Sequence, residues 1–231
     1  HRDLHSFPTR RSSDLVRVGY GVHPWNVHRL PPNDRWVKEL RILLEADQDS
    51  IVGEIGLDKA AKAPETGKCE YEKQEAAFET QWELACEIKR PASVHCVRAH
   101  GAMFDKIRLG LAVSTLPPVI SLHSWGGASE MASQIARLGL SRQGTKLFFG
   151  FSSVINASRG ESQQEIPEKL ASNIRTIPRE SILIESDVED PRMVKDCLES
   201  IVQTVARVWE SPLGATAQQL HDNAMRYFHW K

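Results

Sequence analysis

The chain has 231 residues, which is enough for one large domain, since α/β barrels often run past about 200 residues without dividing. Its 29 basic and 30 acidic residues give a formal net charge of -1, which excludes a global electrostatic attraction to nucleic acid or to a membrane surface. Apolar runs are too short for a membrane span. Scattered cysteines without a CxxC pair argue against a zinc knuckle and a disulfide framework; they are Cys69, Cys86, Cys96 and Cys197.

Residues 1–15, HRDLHSFPTRRSSDL, have neither apolar periodicity nor the hydrophobic core of a signal peptide. The segment resembles a peptide translated from a sequencing adapter. A disordered basic tail and a transit peptide are the alternatives, although Asp3 and Asp14 count against the second. We therefore predict a non-native or disordered adapter-like segment at 1–15 and a single domain at 16–231. Because no signal peptide is visible, the cytoplasm or the nucleus is the expected compartment.

From Val16 onward, short β-rich runs alternate with longer runs of helical periodicity, which is typical of a parallel sheet with crossover helices. Apolar residues of the helical runs, such as Trp36, Phe78, Trp82 and Leu198, are interpreted as core. Six units of this kind are two short of a closed eight-stranded barrel, and an open parallel sheet is the other architecture they allow. The predicted strands are 16–22, 50–57, 91–97, 118–124, 145–152 and 181–187.

Almost every predicted strand carries, at or near its carboxyl end, a side chain that can bind a metal ion or phosphate. Parallel strands place their carboxyl ends on one face, so groups that are distant in sequence can meet there. A lone histidine in such a place is more often a hydrogen-bonded core or loop residue, but five such groups together point to a site. They are His23, Glu54, His95, His123 and Asp187.

Imidazole and carboxylate groups without cysteine suit a hydrolytic zinc, manganese, magnesium or iron ion better than a structural zinc. Cys96 follows His95 directly, so strand alternation turns it to the opposite face, where we expect a small buried hydrophobe. The sequence has no phosphate-binding loop, no nucleophile elbow and no dinucleotide-binding glycine motif. Metal-dependent hydrolysis is therefore the leading reaction class.

Six segments resemble successive motifs of TatD-like deoxyribonucleases, in the order of that family. The resemblance covers nearly the whole chain after residue 15 and is closest to a fungal branch. It implies an α/β fold of the TIM-barrel type in the amidohydrolase superfamily, here incomplete with about six of eight βα units. The segments are GVHPW at 21–25, VGEIGLD at 52–58, SVHCVRAHG at 93–101, SLHSWGG at 121–127, FFGFSSVIN at 148–156 and LIESD at 183–187.

The resemblance also implies a reaction and its cofactors. Family members are metal-dependent hydrolases, and 3'-5' exonuclease action on DNA ends is the best-known activity. The intact fold is expected to hold two divalent ions, which are magnesium, manganese or zinc. DNA ends or another phosphodiester are the expected substrate, and no membrane partner is expected.

Individual residues acquire roles through the same resemblance. Glu54 matches the carboxylate that bridges the two metal ions. His95 and His123 match the histidines that complete one metal position. Asp187 matches the aspartate that binds the other ion and orients or deprotonates the attacking water. Glu54 and Asp187 are accordingly the predicted catalytic residues.

Two further residues are predicted on the substrate side. His23, in GVHPW, matches a position near the substrate phosphate. Arg98 is a candidate for another phosphate contact, although its spacing from His95 differs from the H-x-R motif of bacterial relatives, and a solvated surface side chain is the alternative.

The sequence departs from the family at its beginning. The family opens with an H-x-H motif whose histidines share a metal position with Asp187, and this sequence contains no H-x-H. The first two βα units are therefore predicted to be absent. We expect exposed sheet edges, a weak second metal position and impaired nuclease activity in this chain.

Two other functions stay open at this point. An amidohydrolase-type enzyme acting on an amide or a lactone would use the same metal cage. A non-catalytic binding protein on the same fold would be expected to have lost some of the metal-binding residues. Glu54, His95, His123 and Asp187 are all present, which favours an enzyme over a binding protein.

Overall fold

The computed structural model describes residues 17–138, 144–157 and 165–228. The predicted adapter-like segment at 1–15 lies outside these residues. Among the described residues, no helix has both the length and the apolar character that crossing a bilayer requires.

One parallel sheet organises the described chain. Its six strands lie side by side in chain order, and each neighbouring pair is parallel. The predicted number of strands and the parallel sheet are therefore confirmed. The strands are β1 Gly19–Tyr20, β2 Ile51–Asp58, β3 Ala92–Val97, β4 Val119–Leu122, β5 Lys146–Ser152 and β6 Ile182–Glu185.

Helices follow the strands as crossover connections, as the alternating periodicity predicts. Short 3-10 helices at Pro24–Arg29, Arg179–Ser181 and Pro191–Met193 and a π-helical turn at Ser153–Ala157 supplement them. The α-helices of the described residues are α1 Arg35–Ala46, α2 Tyr71–Glu87, α3 His100–Ala112, α4 Ser129–Ala136, α5 Glu168–Thr176, α6 Val194–Val208 and α7 Leu213–Phe228.

The sheet is open: β1 and β6 are its two edges, and within the described chain no strand joins them. An α/β fold with six strands of a barrel that does not close agrees with the predicted incomplete TIM barrel. β1 has two residues, whereas the predicted strand covers 16–22, of which residue 16 lies outside the described part of the chain. It stops early because the backbone N–H and C=O of Val22 hydrogen-bond to the side chain of Gln81 on α2, at 2.6 and 3.2 Å, instead of to a strand.

The core lies between the sheet and its helices. Phe78 and Trp82 are fully buried there, as predicted, whereas Trp36 and Leu198 are only half-buried. On α6 it is Cys197, one residue before Leu198, that turns inward together with Ile201 one turn later. The helix period therefore holds, and the buried stripe runs through Cys197, Ile201 and Val205 with Leu198 beside it.

Two features of β2 position the candidate site. The register of β2 against β3 shifts between Val52 and Ile55, and this irregularity contains Glu54. Gly56 lies opposite His95 with a φ of +150°, and a Cβ at Gly56 would lie 1.9 Å from the His95 carbonyl oxygen. Only glycine allows this close approach, which fixes where β2 and β3 present their side chains.

Candidate metal centre

The carboxyl ends of the strands bring the predicted residues together. Glu54 and His95 lie within β2 and β3, His123 follows β4 directly, and Asp187 comes two residues after β6. His23 precedes the 3-10 helix Pro24–Arg29. All five line one cavity of about 550 Å³.

Glu54 occupies the middle of this group. Its Oε1 lies 3.2 Å from Nδ1 of His95 and 3.9 Å from Nε2 of His123. The same Nε2 of His123 lies 3.4 Å from Oδ1 of Asp187. The four predicted metal-binding residues thus form a continuous chain of close contacts in which Glu54 and His123 each touch two partners.

His23 lies against the same group. The His23 and His95 rings are 4.4 Å apart, and His23, Glu54 and His95 offer ligand atoms that lie within 4.8 Å of one another. However, Nδ1 of His23 accepts a hydrogen bond from the backbone N–H of Trp25 at 3.2 Å. Burial, followed by the charge of His95, lowers the pKa of His23 to about 4. In the neutral ring Nε2 then carries the proton and is a donor, which suits an anionic oxygen better than a metal ion.

Sequence reasoning missed Asp58, which closes the VGEIGLD motif. Its carboxylate is 3% exposed, and Oδ2 accepts a hydrogen bond from Nε1 of Trp25 at 2.7 Å and lies 3.2 Å from Nε2 of His95. Asp58 therefore orients the imidazole of His95 from the side opposite Glu54. Its even spacing from Glu54 along the strand was the signal available in the sequence, since residues i and i+4 of a strand share a face.

Glu185, in the LIESD motif, was also missed. Its Oε1 lies 3.2 Å from Nδ1 of His123, and its Oε2 accepts hydrogen bonds from the backbone N–H and the hydroxyl of Ser124, at 2.9 and 3.1 Å. The same hydroxyl lies 3.0 Å from Oδ2 of Asp187, so its one proton is shared between the two carboxylates. Glu185 and Ser124 thus hold His123 and Asp187 in place, as the outer partners of metal ligands do.

Gly150 on β5 makes room for that arrangement. A Cβ there would lie 1.9 Å from Oε1 of Glu185. Because the obstructed group is the end of a flexible side chain, Gly150→Ala is expected to displace the carboxylate and leave the fold intact. We expect about a tenfold loss of Mn²⁺ affinity, measured by calorimetric titration. Gly214→Ala on α7, where a Cβ meets nothing within 4 Å, is the matched control. Unchanged affinity in Gly150→Ala would show that Glu185 does not support the site.

The carboxylates of the cavity are ionised. Burial alone would raise the pKa of Glu54, but the hydrogen bond with His95 and the charge of His123 lower it below its usual value. The hydrogen bond with His123 is the largest influence on Asp187 and lowers its pKa as well. For Asp58 the hydrogen bond from Trp25 helps to overcome the effect of burial, and the pKa is again lowered. All three are therefore anionic near neutral pH, as metal binding requires.

His123 shows how strongly this cavity attracts positive charge. Burial would lower its pKa, but the carboxylates of Asp187 and Glu185 outweigh that effect and raise it to about 11. Nitrogen and carboxylate donors with an excess of negative charge are a ligand set for a divalent cation such as zinc, manganese or magnesium. The residues present therefore fit the metal that the sequence predicts, with the cation in the place of the protons on the histidines.

The remaining predicted residues lie further out. Arg98 follows β3 with a φ of +55°, is exposed, and is not among the residues that line the cavity. Cys96 is buried, and burial raises the pKa of its thiol to about 12, in agreement with the predicted small hydrophobe. Ser124 and Asp187 also have positive φ, at 38° and 52°. Non-glycine residues in this region are strained, and Lys89, Ser114 and Glu210 share this conformation away from the cavity.

A parallel α/β sheet with histidines and carboxylates at the carboxyl ends of its strands is the architecture of metal-dependent TIM-barrel hydrolases. The chain belongs to the TatD family: the family described as TatD related DNase matches residues 8–229. This confirms the resemblance that the six motifs indicate.

Similar proteins agree with this assignment. A protein of Edwardsiella piscicida named 3'-5' ssDNA/RNA exonuclease TatD is 32% identical over 174 residues, which are 75% of this chain and 58% of that protein. An uncharacterized deoxyribonuclease of Saccharomyces cerevisiae is 24% identical over 94% of this chain and 83% of its own length. The crystal structure of a TatD family hydrolase from Entamoeba histolytica superposes with a TM-score of 0.67 at 17% identity, over 93% of this chain and 75% of that one, and supports the fold.

Proposed function

We propose that this chain is a metal-dependent phosphodiesterase that removes nucleotides from the 3' ends of single-stranded nucleic acid, with DNA as the expected substrate. The observation that carries the proposal is the convergence of Glu54, His95, His123 and Asp187 on one cavity. The relative from Edwardsiella piscicida, whose name describes a 3'-5' exonuclease, favours nucleic acid over other esters. The proposed place of action is the cytoplasm or the nucleus.

Glu54, His95 and His123 would hold one divalent ion, and Glu54 and Asp187 would hold a second one. When bound, such an ion lowers the pKa of water and withdraws charge from a phosphoryl oxygen. Nucleic acid itself needs this charge compensation, because a phosphodiester entering the cavity would otherwise meet several anionic carboxylates. Because the sequence has no H-x-H pair, the second position has few ligands, and we expect it to bind weakly and the activity to be low.

Asp187 is the proposed base. Its Oδ2 accepts a hydrogen bond from Ser124 and its Oδ1 faces His123, so the carboxylate is held in one orientation at the cavity wall. A carboxylate fixed in this way can orient the attacking water and accept its proton.

His23 and Arg98 are the proposed phosphate contacts. The Nε2–H of neutral His23 can donate to a phosphate oxygen beside Glu54 and His95. Arg98 offers an exposed guanidinium after β3, where a second nucleotide phosphate would be accessible. An exonuclease holds only a few phosphates. Such local contacts are therefore sufficient, even though the formal net charge of the chain is close to zero.

The test is hydrolysis of a single-stranded oligonucleotide with Mn²⁺ or Mg²⁺. We expect slow, stepwise shortening from the 3' end that stops when EDTA is added. A fusion that supplies a family-like strand with H-x-H should bind two ions per chain and cut faster. If the fusion binds metal but cleaves only amides or lactones, the acyl hydrolase replaces this proposal. If it binds metal and cleaves neither class, a non-catalytic binding role replaces it.

A further inference from the structure

Trp25 has an unusual environment for an exposed aromatic residue. Its side chain is 60% exposed, yet Nε1 donates a 2.7 Å hydrogen bond to Asp58, whose carboxylate is buried. Single exposed apolar residues are common on protein surfaces and usually have no function. A buried partner that fixes the ring in an exposed position is different, because it prevents the indole from collapsing onto the surface.

The ring stands at the rim of the metal centre. Its ring centroid lies 5.0 Å from that of His23 and 6.2 Å from that of His95, and both pairs have T-shaped geometry. Trp25 lines the same cavity as Glu54. Ile155, which is 51% exposed, lines this cavity as well. The rim thus carries a flat aromatic group beside the candidate phosphate contact, and an apolar side chain lines the same cavity.

We infer that Trp25 is a stacking platform for the nucleobase at the end of the bound strand. Nucleobases stack on aromatic side chains with little preference for sequence, and each such contact strengthens binding substantially. A base on Trp25 would place its own nucleotide's phosphate on the side of His23 and Glu54, where hydrolysis is proposed to occur. The inference rests on the proposed function and extends it to the recognition of the terminal base.

Two substitutions separate stacking from support of the metal centre. Trp25→Leu removes both the aromatic face and the hydrogen bond to Asp58, whereas Trp25→Phe removes only the hydrogen bond. If Trp25 acts through its face, the Trp25→Phe protein keeps an aromatic face but loses the hydrogen bond that fixes it. It should therefore bind the strand more weakly than the natural protein and more tightly than the Trp25→Leu protein. If it acts by orienting Asp58 and hence His95, Phe should be as defective as Leu.

The experiment measures fluorescence anisotropy of a 5'-labelled oligonucleotide in Mn²⁺, with a phosphorothioate at the terminal linkage to slow hydrolysis. A second oligonucleotide lacks the 3'-terminal base. We expect Trp25→Leu to bind the complete strand about 5- to 100-fold more weakly. The strand without its terminal base should bind the natural protein weakly. The natural protein and Trp25→Leu should have the same affinity for this strand. In hydrolysis, Trp25→Leu should raise KM with little change in kcat. A contact remote from the reacting bond stabilises the bound substrate and the transition state equally.

Equal losses of affinity for the two strands in Trp25→Leu, or a Trp25→Phe protein as weak as Trp25→Leu, would overturn the inference. In either case metal-dependent shortening of a normal oligonucleotide by the natural protein would leave the proposed function intact. If the natural protein neither binds nor shortens the strand, the proposed function and the platform fail together.

Discussion

Glu54→Gln is expected to abolish metal-dependent hydrolysis and to weaken Mn²⁺ binding by at least about 100-fold, since the loss of outer partners alone costs about 10- to 100-fold. Glu54 is the carboxylate that lies between His95 and His123, and glutamine keeps its shape but removes the charge. Affinity is measured by calorimetric titration and activity by oligonucleotide shortening.

The matched control for this substitution is Glu65→Gln. Glu65 is an exposed acid in the loop after β2, and its carboxylate lies 3.9 Å from His28, outside the cavity. The control should bind Mn²⁺ as the unchanged protein does. An unaltered Mn²⁺ affinity in Glu54→Gln would contradict the central position that the structure gives to this residue.

Gly56→Ala is expected to have the largest effect on folding. Its Cβ would lie 1.9 Å from the backbone carbonyl oxygen of His95, at a φ of +150° that side chains rarely adopt. A backbone atom cannot swing aside, so β2 and β3 would have to separate. The combined strain and overpacking amount to about 2–6 kcal/mol, a large part of the stability of a typical domain.

Urea unfolding followed by circular dichroism measures this loss. Gly101→Ala on α3 is the control, because a Cβ there meets nothing within 4 Å. Its free energy of unfolding should change by less than about 1 kcal/mol. A Gly56→Ala protein as stable as the control would mean that β2 and β3 do not pair as the structure shows.

Much of the fold could be predicted from the alternation of strand and helix patterns, because that alternation is typical of a parallel sheet with crossover helices. The length of β1 could not. Its early end depends on Gln81, which is distant in sequence and uses its side-chain amide to satisfy the backbone of Val22. Such a contact leaves no local periodicity for a sequence to reveal.

The candidate site shows the same division. Strand ends placed Glu54, His95 and His123 on one face because parallel strands share a direction. Asp58 and Glu185 lie in the same motifs, but a strand pattern does not show which acids touch an imidazole. Their roles follow from distances to the histidines, which depend on the register of neighbouring strands.

The most direct test of the metal centre is anomalous diffraction from crystals of this protein soaked in Mn²⁺ or Zn²⁺. We expect an anomalous peak in the cavity, about 2.0–2.2 Å from a carboxylate oxygen of Glu54 and from a ring nitrogen of His95 or His123. A weaker second peak between Glu54 and Asp187 would mark the second position. Peaks only at other sites, or an empty cavity at saturating metal, would contradict the claim that these residues form a metal centre.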